Sequence, residues 1–234
     1  MIDLTPQELQ EPRTAAQLLP WVEQKIKKIG STENGKRAIR FREGLAKPLV
    51  EEALPLGIFA SRHFHNSEEV TVVPTLGSQN YDARIQDKRE ERARFSFIEI
   101  TQAHEGENEH LRMIALDRDG HVSPLGAVRK SGTKATGIQV EIESVAVSHS
   151  AVLEQEIRRV EQAIRRKMGK SYPDETILLV VFDDFISMHD EADLERLRGC
   201  IRPLLSDLSN FRWLAVIGWS KRTFEEFDLA SFAS

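Results

Sequence analysis

The chain has 234 residues, of which 40% are hydrophobic and 29% charged, and its formal net charge is -5 at pH 7. This length and apolar content are sufficient for a single domain with a sizeable buried core. The acidic balance argues against a nucleic-acid-binding domain that is basic throughout, but it permits a local basic surface. The only cysteine, Cys200, excludes an internal disulfide and any zinc site that uses several thiolates.

The sequence carries no signal for a membrane or for export. No stretch approaches the roughly 18 consecutive apolar residues of a membrane helix, and the first residues lack a basic region followed by an apolar one. We therefore expect a cytoplasmic protein without a membrane partner. Association into a homo-oligomer is left open by the sequence.

Helical patterns open the chain. Apolar residues recur at helical spacing within residues 1–35, which predicts an N-terminal helical extension. A second helical region is predicted at about 36–64, and Pro48 and Pro55 within it predict bends or breaks.

A β-rich region follows. Residues 70–73 are β-branched, and residues 80–87 and 94–103 alternate apolar with polar side chains, which predicts a meander of three strands. Residues 105–148 have the pattern of a β-rich insertion. Within it, the Asp-Gly pair at 119–120 predicts a hairpin turn, followed by a flexible basic loop and a strand.

The last third alternates helices with apolar strands. Residues 150–168 form the clearest amphipathic pattern in the chain and predict a long helix. The apolar run at 176–182 predicts a strand that is buried on both faces. A helix at 190–205 and a second buried strand at 211–219 complete the predicted order.

Two groups of polar residues are interpreted as solvent-exposed rather than as catalytic or metal-binding. Asp183 and Asp184 follow an apolar strand, but without a phosphate-binding loop they predict a solvated strand end. His63 and His65 have no third ligand at a recognisable spacing, so we expect surface histidines rather than a metal site.

Asp82 and Glu99, in contrast, are candidates for a metal-binding site. Each lies on a predicted strand, and the two strands are neighbours in the meander. Because a strand displays alternate residues on one face, adjacent strands can bring two such carboxylates together. The pair would repel unless a divalent cation separated them, and magnesium favours a site with few carboxylates and several retained waters. Such a metal supports hydrolysis of a phosphodiester bond.

The predicted order of elements leads from this pair to a known family. A helix, a three-strand meander, a further helix and a strand, with NYDARI at 80–85 and FIEITQA at 97–103, resemble the αβββαβ core of the PD-(D/E)XK, or restriction-endonuclease-like, nucleases. The resemblance implies an α/β fold with a mixed central sheet flanked by helices, in which residues 1–234 form one domain. It covers about Arg40 to Asp183, interrupted by the insertion.

The same resemblance implies a metal site. An acidic residue on the second core strand and a glutamate on the third bind Mg²⁺ in that family, with Mn²⁺ as a substitute. It therefore implies Asp82 and Glu99 as ligands, with the backbone carbonyl of Ile100 as a third. Some members add a glutamate from the first helix, a position that Glu51 or Glu43 occupies here.

One position departs from the family pattern. The motif lysine, which orients or activates the attacking water, is replaced by Thr101, whose hydroxyl is neither cationic nor a base near neutral pH. Some members carry the lysine on another element, so Lys134, Lys167 and Lys170 are all candidates. Gln102 can orient a water but cannot neutralise charge. The sequence does not choose among these residues.

The resulting hypothesis is a magnesium-dependent nuclease that hydrolyses DNA or RNA. The alternative, motivated by the missing lysine and the acidic net charge, is a catalytically inactive module that keeps the fold to bind protein or nucleic acid. A third reading is an enzyme for a small phosphorylated substrate. Basic residues that are candidates for phosphate contacts lie in the loop 129–134 and on one face of the long helix, namely Arg158, Arg159, Arg165 and Arg166.

Overall fold

The computed structural model of the chain describes residues 2–91, 95–123, 125–133 and 137–231. The strands of this region are β1 (Arg13–Thr14), β2 (Val70–Pro74), β3 (Ala83–Asp87), β4 (Phe97–Ala103), β5 (Val128–Thr133), β6 (Gly137–Ile142), β7 (Thr176–Phe182), β8 (Trp213–Gly218) and β9 (Phe224–Asp228). The helices are α1 (Pro6–Leu9), α2 (Ala15–Ile29), α3 (Glu33–Phe41), α4 (Ala46–Pro48), α5 (Leu54–His63), α6 (Glu107–Asp119), α7 (His149–Arg165) and α8 (Glu191–Ile201).

Seven strands form one mixed sheet in the order β1-β2-β3-β4-β7-β8-β9. Strands β1 to β4 pair antiparallel with one another, and β2 to β4 form the predicted meander. Strands β4, β7 and β8 are parallel, because α7 and α8 carry the chain back between them. The expected α/β class with a mixed central sheet and helices is thereby confirmed.

The sheet separates two apolar cores. On one face, Ile98 and Ile100 of β4 pack in the core that contains residues of α2 and α5. On the other face, Ala103 of the same strand packs in the core that contains residues of α7 and α8. Strand β7 is buried along its whole length, as its continuous apolar sequence predicts.

The region 105–148 differs from the prediction at its beginning. Residues 107–119, expected to enter a hairpin, form helix α6, on which Leu111 and Ala115 are buried at a spacing of one helical turn. Gly120 adopts a left-handed φ of 74° and ends helix α6. The Asp-Gly pair therefore marks the end of a helix and not the turn of a hairpin. The basic segment predicted as a loop instead forms β5, which pairs with β6, and Lys134 lies outside the described residues.

The helix that carries Pro48 and Pro55 does not break at either proline. It runs through α4, a π-helical segment Leu49–Ala53, and α5. The Leu54 N–H donates to the Leu49 carbonyl, which is five residues earlier instead of four. The chain breaks earlier, where Arg42 takes a left-handed φ of 56° at the end of α3.

The burial of Asp184 shows that the prediction of a solvated strand end is wrong for this residue. Asp183 is exposed, whereas Asp184 is fully buried beneath the turn that joins β8 to β9. Its carboxylate accepts hydrogen bonds from Ser220 N at 2.7 Å, Ser220 Oγ at 2.5 Å and Thr223 N at 3.3 Å. A buried carboxylate with this many donors has a structural role in shaping the turn.

Among the described residues, no helix is long and apolar enough to cross a membrane.

Candidate active site

The candidate site lies in a notch where β3 separates from β4. The two strands pair through Ala83 with Ile98 and Arg84 with Phe97, and the Ile85 N–H donates to the Ser96 carbonyl at 2.8 Å. Asp82, directly before β3, donates its backbone N–H to the Ile98 carbonyl at 2.7 Å. Beyond this point no strand of the described region pairs with this edge of β4, and we call the opening the notch.

The side chain of Asp82 takes the place of a backbone partner in the notch. Its Oδ2 accepts a hydrogen bond from Ile100 N at 2.7 Å. The N–H and C=O of one strand residue point to the same strand edge, so the Ile100 carbonyl also faces the Asp82 side. The structure therefore brings Asp82 and the Ile100 carbonyl, two of the predicted ligands, to one opening.

Glu99 and Lys167 form an ion pair at the same site. The Lys167 Nζ lies 2.5 Å from Glu99 Oε1, and the side chains are only 17% and 12% exposed. Lys167 follows the end of α7, and because α7 runs antiparallel to β4, the end of the helix lies beside the beginning of the strand. Of the two candidate lysines in the described region, Lys167 is thus the one that contacts a carboxylate of the predicted pair.

Charge accumulates in the notch. Burial, followed by the charge of Glu99, raises the pKa of Asp82 from 3.8 to about 6, against the opposing effects of the Ile100 N–H and Lys167. Burial and the same two carboxylates also raise the pKa of the Tyr172 phenol. These shifts place Asp82, Glu99 and Tyr172 in one electrostatic environment that holds more negative charge than Lys167 compensates.

Glu52 also belongs to this environment. Burial, followed by the charges of Asp82 and Glu51, raises the pKa of Glu52 from 4.5 to about 7, with a smaller contribution from Glu99. The Glu51 side chain instead lies 3.7 Å from Arg42 and 4.0 Å from Lys47. The sequence analysis named Glu51 or Glu43, whereas the helix glutamate whose pKa responds to Asp82 and Glu99 is Glu52.

Gln102 fastens the π-helical segment to β4. Its Nε2 donates to the Glu51 carbonyl at 2.7 Å. In a regular helix that carbonyl would accept the N–H of residue 55, but Pro55 has no N–H to donate. The Gln102 amide therefore satisfies a carbonyl that the proline leaves without its usual partner, next to Glu52.

The remaining predicted residues lie around the site or away from it. Thr101 is buried two residues after Glu99, on the same face of β4. Glu43 is paired with Arg37 at 3.5 Å and is half exposed, away from the carboxylate pair. The exposed Lys170 lies three residues beyond Lys167, and no ion pair joins it to a carboxylate of the described region.

The four arginines of the basic face predicted on the long helix lie in different environments. Arg166 donates to the Gln102 carbonyl at 3.1 Å and therefore lies at the notch. Arg159 is largely buried, in ion pairs with Glu105 and Glu156, so it is not a surface cation. Arg158 and Arg165 are hydrogen-bonded to Gln155 and Glu161 respectively, on the same helix.

The two histidines predicted at the surface also differ in their exposure. His65 is exposed, as predicted, whereas His63 is largely buried. Its Nδ1 lies 2.5 Å from Glu226 Oε1, and its ring stacks on Phe59 with a centroid distance of 5.0 Å. His63 thus packs in the protein interior rather than on the surface.

A cavity of about 700 Å³ adjoins the notch beyond the carboxyl ends of β4 and β7. Gln102 and Glu51 line it on the notch side, and the buried Glu156 lines it too. The Oε2 of Glu156 has no hydrogen-bond partner in the described region, and burial raises its pKa to about 7. Open crevices of this kind at the carboxyl ends of parallel strands are common ligand sites.

Comparisons with protein-family models, curated proteins and solved structures find no match to this chain, so its function has to be inferred from the geometry of the site.

Proposed function

We propose that this protein is a magnesium-dependent phosphodiesterase that cleaves DNA or RNA, with a core of the PD-(D/E)XK type. The convergence of Asp82, Glu99, Glu52 and Lys167 on one notch carries the proposal. These residues come from four separate elements, and buried ionisable groups with raised pKa values are typical of functional sites.

The arrangement of elements supports the proposed core. Helix α5, strands β2, β3 and β4, helix α7 and strand β7 follow one another with only α6 and the β5–β6 hairpin inserted. The first three of these strands form an antiparallel meander, and β7 is parallel to β4. This order is the one that the family resemblance implies for an αβββαβ core.

The residues of the notch fit a hard divalent cation. Carboxylate and carbonyl oxygens are the ligands that Mg²⁺ prefers, and Asp82, Glu99 and the Ile100 carbonyl supply them. The raised pKa of Asp82 indicates that its negative charge is incompletely balanced. When bound, Mg²⁺ or Mn²⁺ would polarise a phosphoryl oxygen and acidify a water molecule.

Lys167 and Glu52 supply the remaining chemistry. Lys167 provides, from the end of α7, the positive charge that Thr101 cannot provide from β4, and it stabilises negative charge that develops on the phosphate. Glu52, with a pKa of about 7, is suited to accept a proton from the attacking water near neutral pH. The site would thus combine a proton acceptor and a cation with the two proposed metal-binding carboxylates.

The surroundings support a nucleic acid as substrate. Arg166 borders the notch, and the adjacent cavity is lined by cationic and aromatic side chains together with acidic ones. These side chains include Arg40, Lys47 and Phe41. Cations can contact phosphates without reading the sequence, and aromatic faces can stack with bases that are not paired.

Calorimetric titration of Mn²⁺ tests the site without a guess about substrate. We expect the wild-type protein to bind Mn²⁺ and Asp82→Asn to lose that binding, while the exposed control Asp207→Asn binds as the wild type does. Labelled single-stranded and duplex DNA and RNA would then be incubated with Mg²⁺ or with a chelator. Binding that is unchanged in Asp82→Asn would show that these residues are not the metal site.

The Glu99–Lys167 ion pair also favours the second candidate, a catalytically inactive module that binds protein or nucleic acid. Lys167 already neutralises one of the two carboxylates without any metal. A wild-type protein that retains nucleic acid but neither binds Mn²⁺ nor cleaves would support this function over the first.

A further inference from the structure

A second cluster of possible metal ligands lies at the other end of α7, its N-terminus. His149 is the first residue of α7, His189 lies in the loop before α8, and Asp193 lies in the first turn of α8. Each offers one ligand atom, and these atoms all lie within 4.8 Å of one another. The chain segments that carry them are 40 residues apart, so this proximity is a product of the fold.

The carboxylate of the cluster is held in a fixed orientation. Asp193 is buried, and its Oδ2 accepts hydrogen bonds from His189 N at 2.9 Å and Asp190 N at 3.4 Å. Two backbone donors thus hold one oxygen and leave the remaining coordination capacity of the carboxylate available. Metal-binding carboxylates are commonly oriented by such outer hydrogen bonds.

His149 is already placed at a distance suitable for shared coordination. Its Nε2 lies 3.4 Å from Asp193 Oδ2 and 3.1 Å from the Ser187 carbonyl oxygen. In a tetrahedral zinc site with bonds of about 2.0–2.1 Å, neighbouring ligand atoms are roughly 3.3 Å apart. The spacing of these atoms therefore fits a metal ion between His149 Nε2 and the Asp193 carboxylate.

His189 would complete the set. Its ring stacks on that of His149 at a centroid distance of 4.2 Å and an interplanar angle of 14°. His189 is exposed, and one of its ring nitrogens already lies within 4.8 Å of the ligand atoms of His149 and Asp193.

We propose that His149, His189 and Asp193 bind a zinc ion that fastens the beginning of α7 to the loop between β7 and α8. Two imidazoles with one carboxylate suit Zn²⁺, whereas Mg²⁺ prefers oxygen ligands throughout. Water or the Ser187 carbonyl supplies the fourth ligand. The fastened loop contains Asp183 and Phe185, which line the cavity beside the notch, so zinc would make that wall of the cavity rigid.

Calorimetry with Zn²⁺ alone tests this site. We expect the wild type to bind one equivalent, and His189→Ala and Asp193→Asn to bind it more than roughly 100-fold more weakly, because loss of even an outer-shell partner costs about 10–100-fold. Asn at 193 keeps an oxygen for the backbone donors, and the unfolding temperature of each metal-free variant would verify its fold. Co²⁺ titration should give the visible absorption of a tetrahedral site in the wild type only.

Two controls separate this site from the notch. His121→Ala changes an exposed histidine at the end of α6 and should leave zinc binding intact. Asp82→Asn should also retain it, so a failure of the proposed nuclease site would leave the zinc result unaffected. Absence of stoichiometric binding by the wild type, unchanged binding in His189→Ala, or loss of binding in Asp82→Asn would each overturn the proposal.

Discussion

Asp82→Asn should stabilise the metal-free protein. The folded state raises the pKa of this carboxyl from 3.8 to about 6, mainly through burial and the charge of Glu99. Because each pH unit corresponds to about 1.4 kcal/mol, ionised Asp82 costs the folded state about 2–3 kcal/mol above pH 7. Asparagine removes the charge and keeps an oxygen that can accept the Ile100 N–H, so that cost should disappear.

The sign of the pH dependence follows from the same shift. The folded state holds the Asp82 proton more tightly than the unfolded state, so the stability of the wild type falls as pH rises from about 4 through 6. The advantage of Asp82→Asn should therefore be greatest near pH 8, about half as large at pH 5, and small near pH 4.

Urea unfolding in the presence of a chelator measures this effect. The free energies of unfolding of the wild type and Asp82→Asn would be compared at pH 8 and pH 5. Asp207→Asn, an exposed aspartate outside the notch, should change stability by less than about 0.5 kcal/mol at both pH values. Destabilisation by Asp82→Asn, or a gain independent of pH, would refute the claim that the notch accumulates uncompensated charge.

Three further substitutions probe the site and the fold. Lys167→Ala should lower the rate of nucleic-acid cleavage by about 100-fold or more, whereas Lys170→Ala should leave it unchanged, as measured by initial rates on a labelled substrate. Glu52→Gln should lower the rate and remove the ionisation near pH 7 from the pH–rate profile, whereas Glu51→Gln should retain it. Asp184→Ala should lower the free energy of unfolding in urea by about 2–4 kcal/mol, because it leaves buried donors without an acceptor.

Each of these expectations has an outcome that contradicts it. Equal rates for the two lysine variants would remove Lys167 from the chemistry. A lost pH dependence in Glu51→Gln, but not in Glu52→Gln, would mean that the helix presents its other glutamate to the notch. Wild-type stability in Asp184→Ala would mean that the turn between β8 and β9 does not depend on the buried carboxylate.

The placement of Asp82 and Glu99 could be predicted from local patterns. Alternation along two successive strands shows which residues share a face, and short connections indicate that the strands pair. The buried strand β7 was equally clear, because a continuous apolar run of that length has few alternatives. Lys167 could be named only as one of several lysines, since its contact with Glu99 depends on how α7 crosses the sheet.

Glu52 could not be identified from the sequence as the helix glutamate of the site, because it lies where the helix departs from its regular period. Counting residues at 3.6 per turn assumes a regular helix, but Leu49–Ala53 is π-helical and shifts the facing of the residues that follow. Similarly, Asp184 was expected in solvent because its partners, Ser220 and Thr223, lie more than thirty residues later. Helix α6 was misassigned because an Asp-Gly pair can end a helix as readily as it can turn a hairpin.

Pro55 and Gln102 have a joint consequence for engineering and for natural variation. A proline in a helix is usually regarded as a local disturbance, yet here the acceptor it leaves on Glu51 recruits an amide from a distant strand. Replacing Pro55 by alanine would supply a competing N–H, and the helix would then no longer need Gln102. The two positions should therefore tolerate change together better than singly.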